Sequence, residues 1–246
     1  MTRRAATFAA ALAVLVSATP AVAQGISISL GDGSGGSLSA QTVQLIALVT
    51  VLSLAPGLAI MITCFPFIVT VLGILRQGIG LQQSPPNMLI VSLALFLTYF
   101  VMEPVFTQAW TAGIDPLLKE TLPVDEAIIR ALEPFRIFMA GRLDPDTFSA
   151  MAALRPDAAQ SVPGPDAPLS VLIPSFMLSE IARAFQIGFL VFLPFLIIDL
   201  VVAAILMSMG MMMVPPAIVS LPFKLAFFVI ADGWALIAGS LVRGYF

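Results

Sequence analysis

The sequence predicts an all-α membrane protein from its hydrophobic fraction, its low charge and the length of its apolar tracts. Of the 246 residues, 59% are hydrophobic and only 10% are charged, whereas soluble domains carry about 25% charged residues. The apolar residues form long tracts without the alternation of apolar and polar positions that the strands of a membrane β-barrel require. This composition excludes a soluble globular domain and a disordered chain.

The residue inventory also excludes several kinds of functional site. The chain has no histidine and a single cysteine, Cys64. One cysteine cannot form a disulfide within the chain, and a zinc, haem or iron–sulfur site would need more cysteines or histidines. Without histidine, no Ser-His or Cys-His nucleophile pair can exist. The net charge of −3 argues against nucleic-acid binding. We therefore expect no catalytic residue, no metal and no cofactor, and a protein that is not an enzyme.

Residues 1–23 have the pattern of a secretory signal peptide. Arg3 and Arg4 precede a short apolar run, which is followed by the small-residue sequence Ala21-Val22-Ala23. The alternative is a retained N-terminal membrane helix, although the apolar run is shorter than the roughly 20 residues of a membrane span. Residues 24–40 are rich in Gly and Ser and are expected to form a flexible exported tail. An exported N-terminus indicates a bacterial inner membrane.

Residues 41–112 are expected to form a first hydrophobic helical pair. The tract Val43–Leu75 contains no charge, and as one helix it would be about 50 Å long against a hydrocarbon core of roughly 30 Å. We expect Pro56-Gly57 to break it into a short half and a second half that could just span the bilayer. The second tract, Met88–Trp110, is interrupted by Glu103-Pro104.

Residues 113–168 form a charged insertion that separates the two pairs of tracts. The insertion contains nine acidic and five basic residues. Apolar residues recur at near-helical spacing between Pro116 and Arg142, which predicts short helices, and four prolines between Arg155 and Pro168 predict a loop. If two spans follow an exported N-terminus, the insertion is periplasmic and Arg76 lies inside, as the positive-inside rule prefers.

Residues 169–246 predict a second helical hairpin with a methionine-rich turn. Two apolar tracts, at about 170–209 and 217–242, are joined by a segment that ends in Pro215 and Pro216. Methionine adapts its shape easily, so these side chains could form a deformable collar around an axis, or the turn could simply pack into a core. The methionines of the turn are Met207, Met209, Met211, Met212 and Met213.

Five charged residues lie within or beside the last two apolar tracts: Glu180, Arg183, Asp199, Lys224 and Asp232. A charge in hydrocarbon costs about 2.5–3.5 kcal/mol or more, so each should face protein or water. Glu180 and Arg183 are three residues apart and can pair on one helix face. Asp199 and Lys224 lie at similar distances from the turn and therefore at similar depth. They could be structural pairs, or they could form an ion relay, with Asp232, in a small-solute or proton-coupled carrier.

Several ordered segments resemble the FliP family of flagellar biosynthesis proteins. The resemblance covers about 41–112 and 172–243 and is weak in the charged insertion. It is carried by Pro85-Pro86-Asn87, Leu93–Thr98, Pro174–Glu180, Ala184–Phe189, Leu193–Val202, Leu206–Met213, Ser220–Lys224 and Asp232-Gly233-Trp234.

The resemblance implies a non-enzymatic subunit of the flagellar type III export gate. Several copies would assemble with FliQ-like and FliR-like subunits into a helical ring, whose pore passes unfolded flagellar substrates. FlhA-like and FlhB-like export proteins would be neighbours in the basal body, and membrane lipid a further partner. The family's methionine run implies a pore gasket at Met209, Met211, Met212 and Met213. The resemblance also implies hairpins that sit largely above the bilayer plane, contrary to a simple four-span topology.

One segment departs from the family pattern. Where the family often reads Thr-Ser-Phe-Thr-Arg, this chain has Thr63-Cys64-Phe65-Pro66-Phe67. Phe67 replaces a basic residue, and we expect Pro66 to disturb a helix at this point.

Overall fold

The computed structural model describes residues 38–80, 85–211 and 213–246, and every regular element in these ranges is helical. The chain divides into two units, residues 1–48 and 49–246. Of the first unit, the structure describes only the opening turns of helix α1 (Leu38–Met61). The predicted signal peptide and most of the predicted tail lie outside the described residues, and residues 38–40 of that tail are helical.

The second unit consists of the remainder of α1 and eight further helices among the described residues. They are α2 (Phe65–Ile79), α3 (Asn87–Ala109), α4 (Asp115–Leu118), α5 (Val124–Arg142), α6 (Pro145–Ala153), α7 (Leu169–Ser208), α8 (Pro216–Ile230) and α9 (Gly233–Arg243). A π-helical turn, Trp110–Ile114, joins α3 to α4 without a break. The all-α fold class is confirmed.

Among the described residues, three helical stretches are long and apolar enough to cross a membrane: Thr42–Met61, Asn87–Leu118 and Leu169–Ser208. Helices α8 and α9 together form a fourth candidate, which is bent by 61°. Helix α2 has only 15 residues, about 22 Å of helix, so it is shorter than the hydrocarbon core. The sequence predicts that the second half of the first tract could just span the bilayer. Helix α2, which forms most of that half, is too short, so this prediction is wrong.

The helix break predicted at Pro56-Gly57 is also wrong, because helix α1 continues through Pro56. Helix α3 likewise continues through Pro104, where Glu103-Pro104 interrupts the apolar tract. A proline removes one backbone hydrogen bond, and a long apolar helix can retain the remainder of its ladder. The first tract breaks instead after Met61. Pro66 then lies in the first turn of α2, where the missing N–H would have no partner within the helix.

Helix α2 forms the centre of the larger core. Its buried side chains recur at helical spacing, with Ile68, Val71, Leu72 and Leu75 all essentially inaccessible. They pack with buried residues of four other helices: Ile90, Ala94 and Met102 of α3, Ala184 and Phe195 of α7, Phe228 of α8, and Ile237 and Leu241 of α9. This packing fixes α2 against the hairpin that α7 and α8 form.

Gly188 is what lets α2 and α7 approach closely. A Cβ atom at this position would lie 2.3 Å from Cδ1 of Ile74 in α2. Small residues at helix interfaces allow such close backbone contact in membrane proteins. This close contact fixes the position of α2 along the axis of α7.

A second, smaller core lies within the charged insertion and the first turns of α7. Met139 of α5, Phe148 and Ala152 of α6, and Leu172 and Phe176 of α7 are buried together. Helix α5 confirms the helix expected before Arg142, and the segment from Arg155 to Pro168 has no helix, as its prolines predict. The beginning of α7 therefore belongs with the insertion in packing, although the sequence places it in the hairpin.

Candidate functional site

The turn of the hairpin is built by a defined helix-ending motif. The N–H of Met211 donates to the carbonyl oxygen of Leu206 at 3.0 Å, and the N–H of Gly210 donates to that of Met207 at 3.0 Å. This pair of bonds is a Schellman motif, which needs a left-handed residue just past the helix. Gly210 supplies it with φ of +75°. Pro215 and Pro216 then begin α8.

The described methionines of this turn are exposed. The exposed fraction is 67% for Met209 and 97% for Met213, and Met207 and Met211 are exposed as well. Met212 lies outside the described residues. Within this chain, therefore, the turn does not pack its described methionines into a core. Clustered exposed apolar side chains indicate a surface that another molecule or another copy covers.

We predict that Gly210→Ala destabilises the hairpin turn by about 1 kcal/mol, because alanine is strained at positive φ. No atom of the described residues lies within 4 Å of the position that a Cβ would occupy, so we expect the effect to come from the backbone. Thermal unfolding in detergent would measure it. Gly141→Ala is the matched control, since Gly141 is equally unobstructed and lies in helix α5. Equal stability of the Gly210 variant and the wild type would contradict this account of the turn.

Asp199 and Lys224 form an ion pair between the two arms of the hairpin. Lys224 Nζ donates to Asp199 Oδ2 at 2.6 Å, and the Ser220 hydroxyl donates to Asp199 Oδ1 at 2.5 Å. The Lys224 side chain is 6% exposed and the Asp199 side chain is 33% exposed. The two residues that the sequence places at similar depth, Asp199 and Lys224, are thus in direct contact. Both carboxylate oxygens have donors, which suits a structural link between the arms.

Glu180 is the centre of a second charged cluster, which is larger than the sequence predicts. Its Oε1 accepts from Nε of Arg142 at 3.1 Å and from an amino group of Arg183 at 3.3 Å. Its Oε2 accepts from the hydroxyl of Tyr245 at 2.5 Å. Glu180 is fully buried, whereas Arg142 and Arg183 keep part of their surface exposed. The predicted pair of Glu180 with Arg183 is present, and Arg142 is the shorter contact.

Tyr245 fastens the C-terminal segment to this cluster. Its ring packs edge-on against Phe67 and stacks on Phe138, and the Arg142 guanidinium lies 4.0 Å from the ring centre. Arg142 also donates to the carbonyl oxygen of Gly244 at 2.7 Å. Burial raises the pKa of Tyr245 well above its ordinary range, and the Glu180 carboxylate raises it further. The phenol therefore stays protonated and remains a donor.

Asp232 does not join either cluster. It lies at the bend between α8 and α9, is exposed, and has a left-handed backbone with φ of 48°. Among the described residues, Asp232 forms no ion pair. The neighbouring Gly233 is buried, and a Cβ there would lie 2.2 Å from the ring of Phe228. At the bend, the Asp232 carboxylate is therefore exposed, whereas the backbone at Gly233 is tightly packed.

Comparisons with known proteins decide the family. The model of the FliP family matches residues 48–241. The chain belongs to the FliP family. The flagellar biosynthetic protein FliP of Caulobacter vibrioides is 50% identical over 99% of this chain and 91% of its own length. The FliP of Rhizobium meliloti is 50% identical over 85% and 86% of the two chains, and that of Bacillus subtilis is 46% identical over 83% and 92%.

FliP-family membership confirms the resemblance seen in the sequence and the expectation of a protein that is not an enzyme. The apolar helices agree with a membrane-embedded FliP. The residue that departs from the family pattern, Phe67, is buried against Tyr245. Cys64, beside it, is also buried, and burial raises its thiol pKa to about 12. This thiol stays neutral and is a poor nucleophile.

Sequence reasoning missed three residues of the charged clusters. Arg142 and Tyr245 are 38 and 65 residues from Glu180 along the chain, and no local spacing links them. Ser220 precedes Lys224 by one helical turn, so the sequence alone could have placed the two residues on the same helix face. The contacts of Arg142 and Tyr245 can be predicted only if one knows how α5 and the C-terminal segment pack on α7.

Proposed function

We propose that this chain is a pore-forming subunit of the flagellar type III export gate. The relatives' names place them in flagellar biosynthesis, and the family resemblance supplies the export role. Several copies would form a helical ring with FliQ-like and FliR-like subunits, beside FlhA-like and FlhB-like proteins in the basal body. Unfolded flagellar proteins would pass through its pore across the bacterial inner membrane. The N-terminus and the charged insertion would be periplasmic.

The exposed methionine turn is the observation that best supports a gating role. Met209, Met211 and Met213 are uncovered at the tip of a hairpin whose arms are joined internally by Asp199 and Lys224. A rigid hairpin can hold its tip at a fixed place in a ring. Flexible methionine side chains at that tip can close around an axis and yield to chains of different shape. In this proposal, Met209, Met211, Met212 and Met213 form the gasket.

Helix α7 supports a position that extends beyond the bilayer. It has 40 residues, about 60 Å of helix, which is twice the thickness of the hydrocarbon core. Its first turns are buried against the charged insertion. Part of the exposed apolar surface further along α7 would then face other subunits rather than lipid.

We predict that deletion of Met211–Met213 raises the ion conductance of the assembled gate, because the pore would lose its deformable seal. Currents across a planar bilayer that contains the purified gate would measure the change. The control is Met88→Ser, since Met88 is an exposed methionine at the start of α3 and does not belong to the hairpin turn. An unchanged conductance in the deletion variant would contradict the gasket.

The rival proposal is a small-solute or proton-coupled carrier that uses Asp199, Lys224 and Asp232. The contacts of Asp199 with Lys224 and Ser220 favour a structural pair, because both carboxylate oxygens are already occupied. Neutralisation of Asp199 distinguishes a carrier from a structural pair. A carrier would lose transport and keep its assembly, whereas the loss of assembly would support the structural pair.

A further inference from the structure

Glu103 is an exposed carboxylate in the middle of an apolar helical stretch. It lies 16 residues after Asn87 and 15 residues before Leu118, the two ends of a stretch that is apolar enough to cross a membrane. Among the described residues, the Glu103 carboxylate has no hydrogen-bond or ion-pair partner. A carboxylate that faces hydrocarbon is costly, so such a group normally faces protein or water and finds a partner there.

The surface around Glu103 is aromatic, which points to a protein partner rather than to water. Tyr99, Phe100 and Phe106 are its neighbours three or four residues away along the helix, and all three are exposed. Exposed apolar patches of this kind mark sites that another protein covers. A carboxylate inside a covered patch needs a cation from the covering partner, because an unpaired buried charge is strongly destabilising.

Arg243, in the last turn of α9, is the complementary group. It is exposed, and among the described residues it contacts no carboxylate, side-chain amide or backbone carbonyl oxygen with its guanidinium. Each other described cation has such an acceptor: Arg76, Lys119, Arg130, Arg136, Arg142, Arg155, Arg183 and Lys224. The apolar helices thus carry one unpaired cation at Arg243 and an unpaired carboxylate at Glu103.

The face of α9 beside Arg243 is open to another helix. Ala235 and Gly239 precede Arg243 at intervals of four residues and therefore lie on the same helix face. A Cβ at Gly239 would have only atoms of Arg243 within 4 Å, so no other described side chain packs there. Small residues four positions apart allow a second helix to approach closely. A helix on this face would lie directly beside the guanidinium.

The two unpaired groups lie at nearly the same level of the molecule. The ring of Phe106, three residues after the glutamate, lies 5.9 Å from that of Phe135 in α5. The ring of Tyr245, two residues after the arginine, lies 6.1 Å from that of Phe138 in the same helix. Phe135 and Phe138 are about one helical turn apart. Copies in a closed ring are related by rotation about one axis, so groups that pair between neighbours must lie at the same height.

We propose that Glu103 of one copy pairs with Arg243 of the next copy, and that this contact seats the aromatic patch of α3 on α9 of the neighbouring chain. Each copy would use one face for its carboxylate and another for its guanidinium, which is the kind of contact that closes into a ring. Asp232 is exposed as well, but it lies 11 residues before Arg243, about 16 Å along α9, and therefore at a different level. The proposal rests on the ring assembly of the proposed function and adds the contact between neighbouring copies.

The test uses two differently tagged copies of the full chain, expressed together in the native host and extracted in mild detergent. Capture by one tag, followed by quantification of the other tag, measures the contact between copies. Glu103→Arg in both copies should lower this co-capture about tenfold, and so should Arg243→Glu, because each change sets like charges against each other. A mixture of the two single variants should recover most of the co-capture, since the new arginine of one copy then faces the new glutamate of the next.

Two controls and a second measurement protect the test against misfolding. Glu133→Arg and Arg155→Glu reverse exposed charges of the charged insertion, and their co-capture should equal that of the wild type. The second measurement combines Glu103→Cys with Arg243→Cys in one chain and adds a bifunctional maleimide, which should give a ladder of cross-linked copies. The combination of Glu133→Cys with Arg243→Cys should give no ladder. Cys64 is buried and should not react.

Three outcomes contradict the proposal. Equal co-capture by the wild type and both reversal variants would exclude an interface at these two residues. Recovery in a chain that carries both reversals, without recovery in the mixture of single variants, would show a pair within one chain. Full co-capture of Glu103→Arg copies together with the loss of a FliQ-like or FliR-like subunit would place Glu103 against that subunit. If wild-type copies do not capture each other, the ring assembly of the proposed function fails instead.

Discussion

Replacing Glu180 by glutamine is expected to destabilise the folded chain by about 3 kcal/mol, because it would leave the partly exposed Arg142 and Arg183 without the fully buried carboxylate that both contact. Glu180 is fully buried and accepts hydrogen bonds from Arg142, Arg183 and Tyr245. These donors come from α5, from α7 itself and from the C-terminal segment. The change should therefore loosen the charged insertion and the C-terminus together. Thermal unfolding of the purified chain in detergent would measure the loss.

The matched control for this prediction is Glu133→Gln. Glu133 lies in α5 and is exposed, and exposed charges contribute about 0–1 kcal/mol. A second readout is limited proteolysis, in which the Glu180 variant should be cut earlier in the charged insertion and near the C-terminus. If both glutamate variants unfold at the same temperature as the wild type, the Glu180 cluster does not hold these parts together.

The second large effect is expected at the ion pair between the hairpin arms. Lys224→Met leaves the Asp199 carboxylate without its cation, and Asp199→Leu leaves a buried ammonium without its carboxylate. Each single change should cost about 3–5 kcal/mol. The double variant replaces both charges by apolar groups and should recover most of the stability, as buried ion pairs often do when both partners are replaced. Thermal unfolding of the four proteins completes the cycle.

The double variant also separates the structural role from a transport role. In a gate whose hairpin merely needs the two arms to be joined, the double variant should assemble and export flagellar proteins. In a proton-coupled carrier it should assemble and transport nothing. Additive losses in the two single variants and the double variant would contradict the direct pairing of Asp199 with Lys224.

Much of the membrane architecture could be predicted because it depends on local composition. The hairpin of α7 and α8 follows from two long apolar tracts on either side of Pro215 and Pro216. The depth of Asp199 and Lys224 follows from counting residues from that turn. Gly210 is the left-handed residue of the turn, and glycine just past the end of a helix is typical of that role.

The parts that could not be predicted depend on tertiary packing. Pro56 and Pro104 do not end their helices, because a helix in an apolar environment keeps the backbone bonds that a proline leaves intact. The contact of Arg142 and Tyr245 with Glu180 joins residues that are far apart in the chain. The 61° bend between α8 and α9 falls at Asp232-Gly233, which the sequence marks only by a charge and a glycine.

The mass of the native complex, purified in mild detergent, tests the central claim most directly. A single chain has a mass of 26.0 kDa. The export-gate account predicts a complex far heavier than this, with several copies of the chain and two kinds of co-purifying membrane subunit, FliQ-like and FliR-like. A particle that contains one copy of this chain and no partner subunit would contradict it.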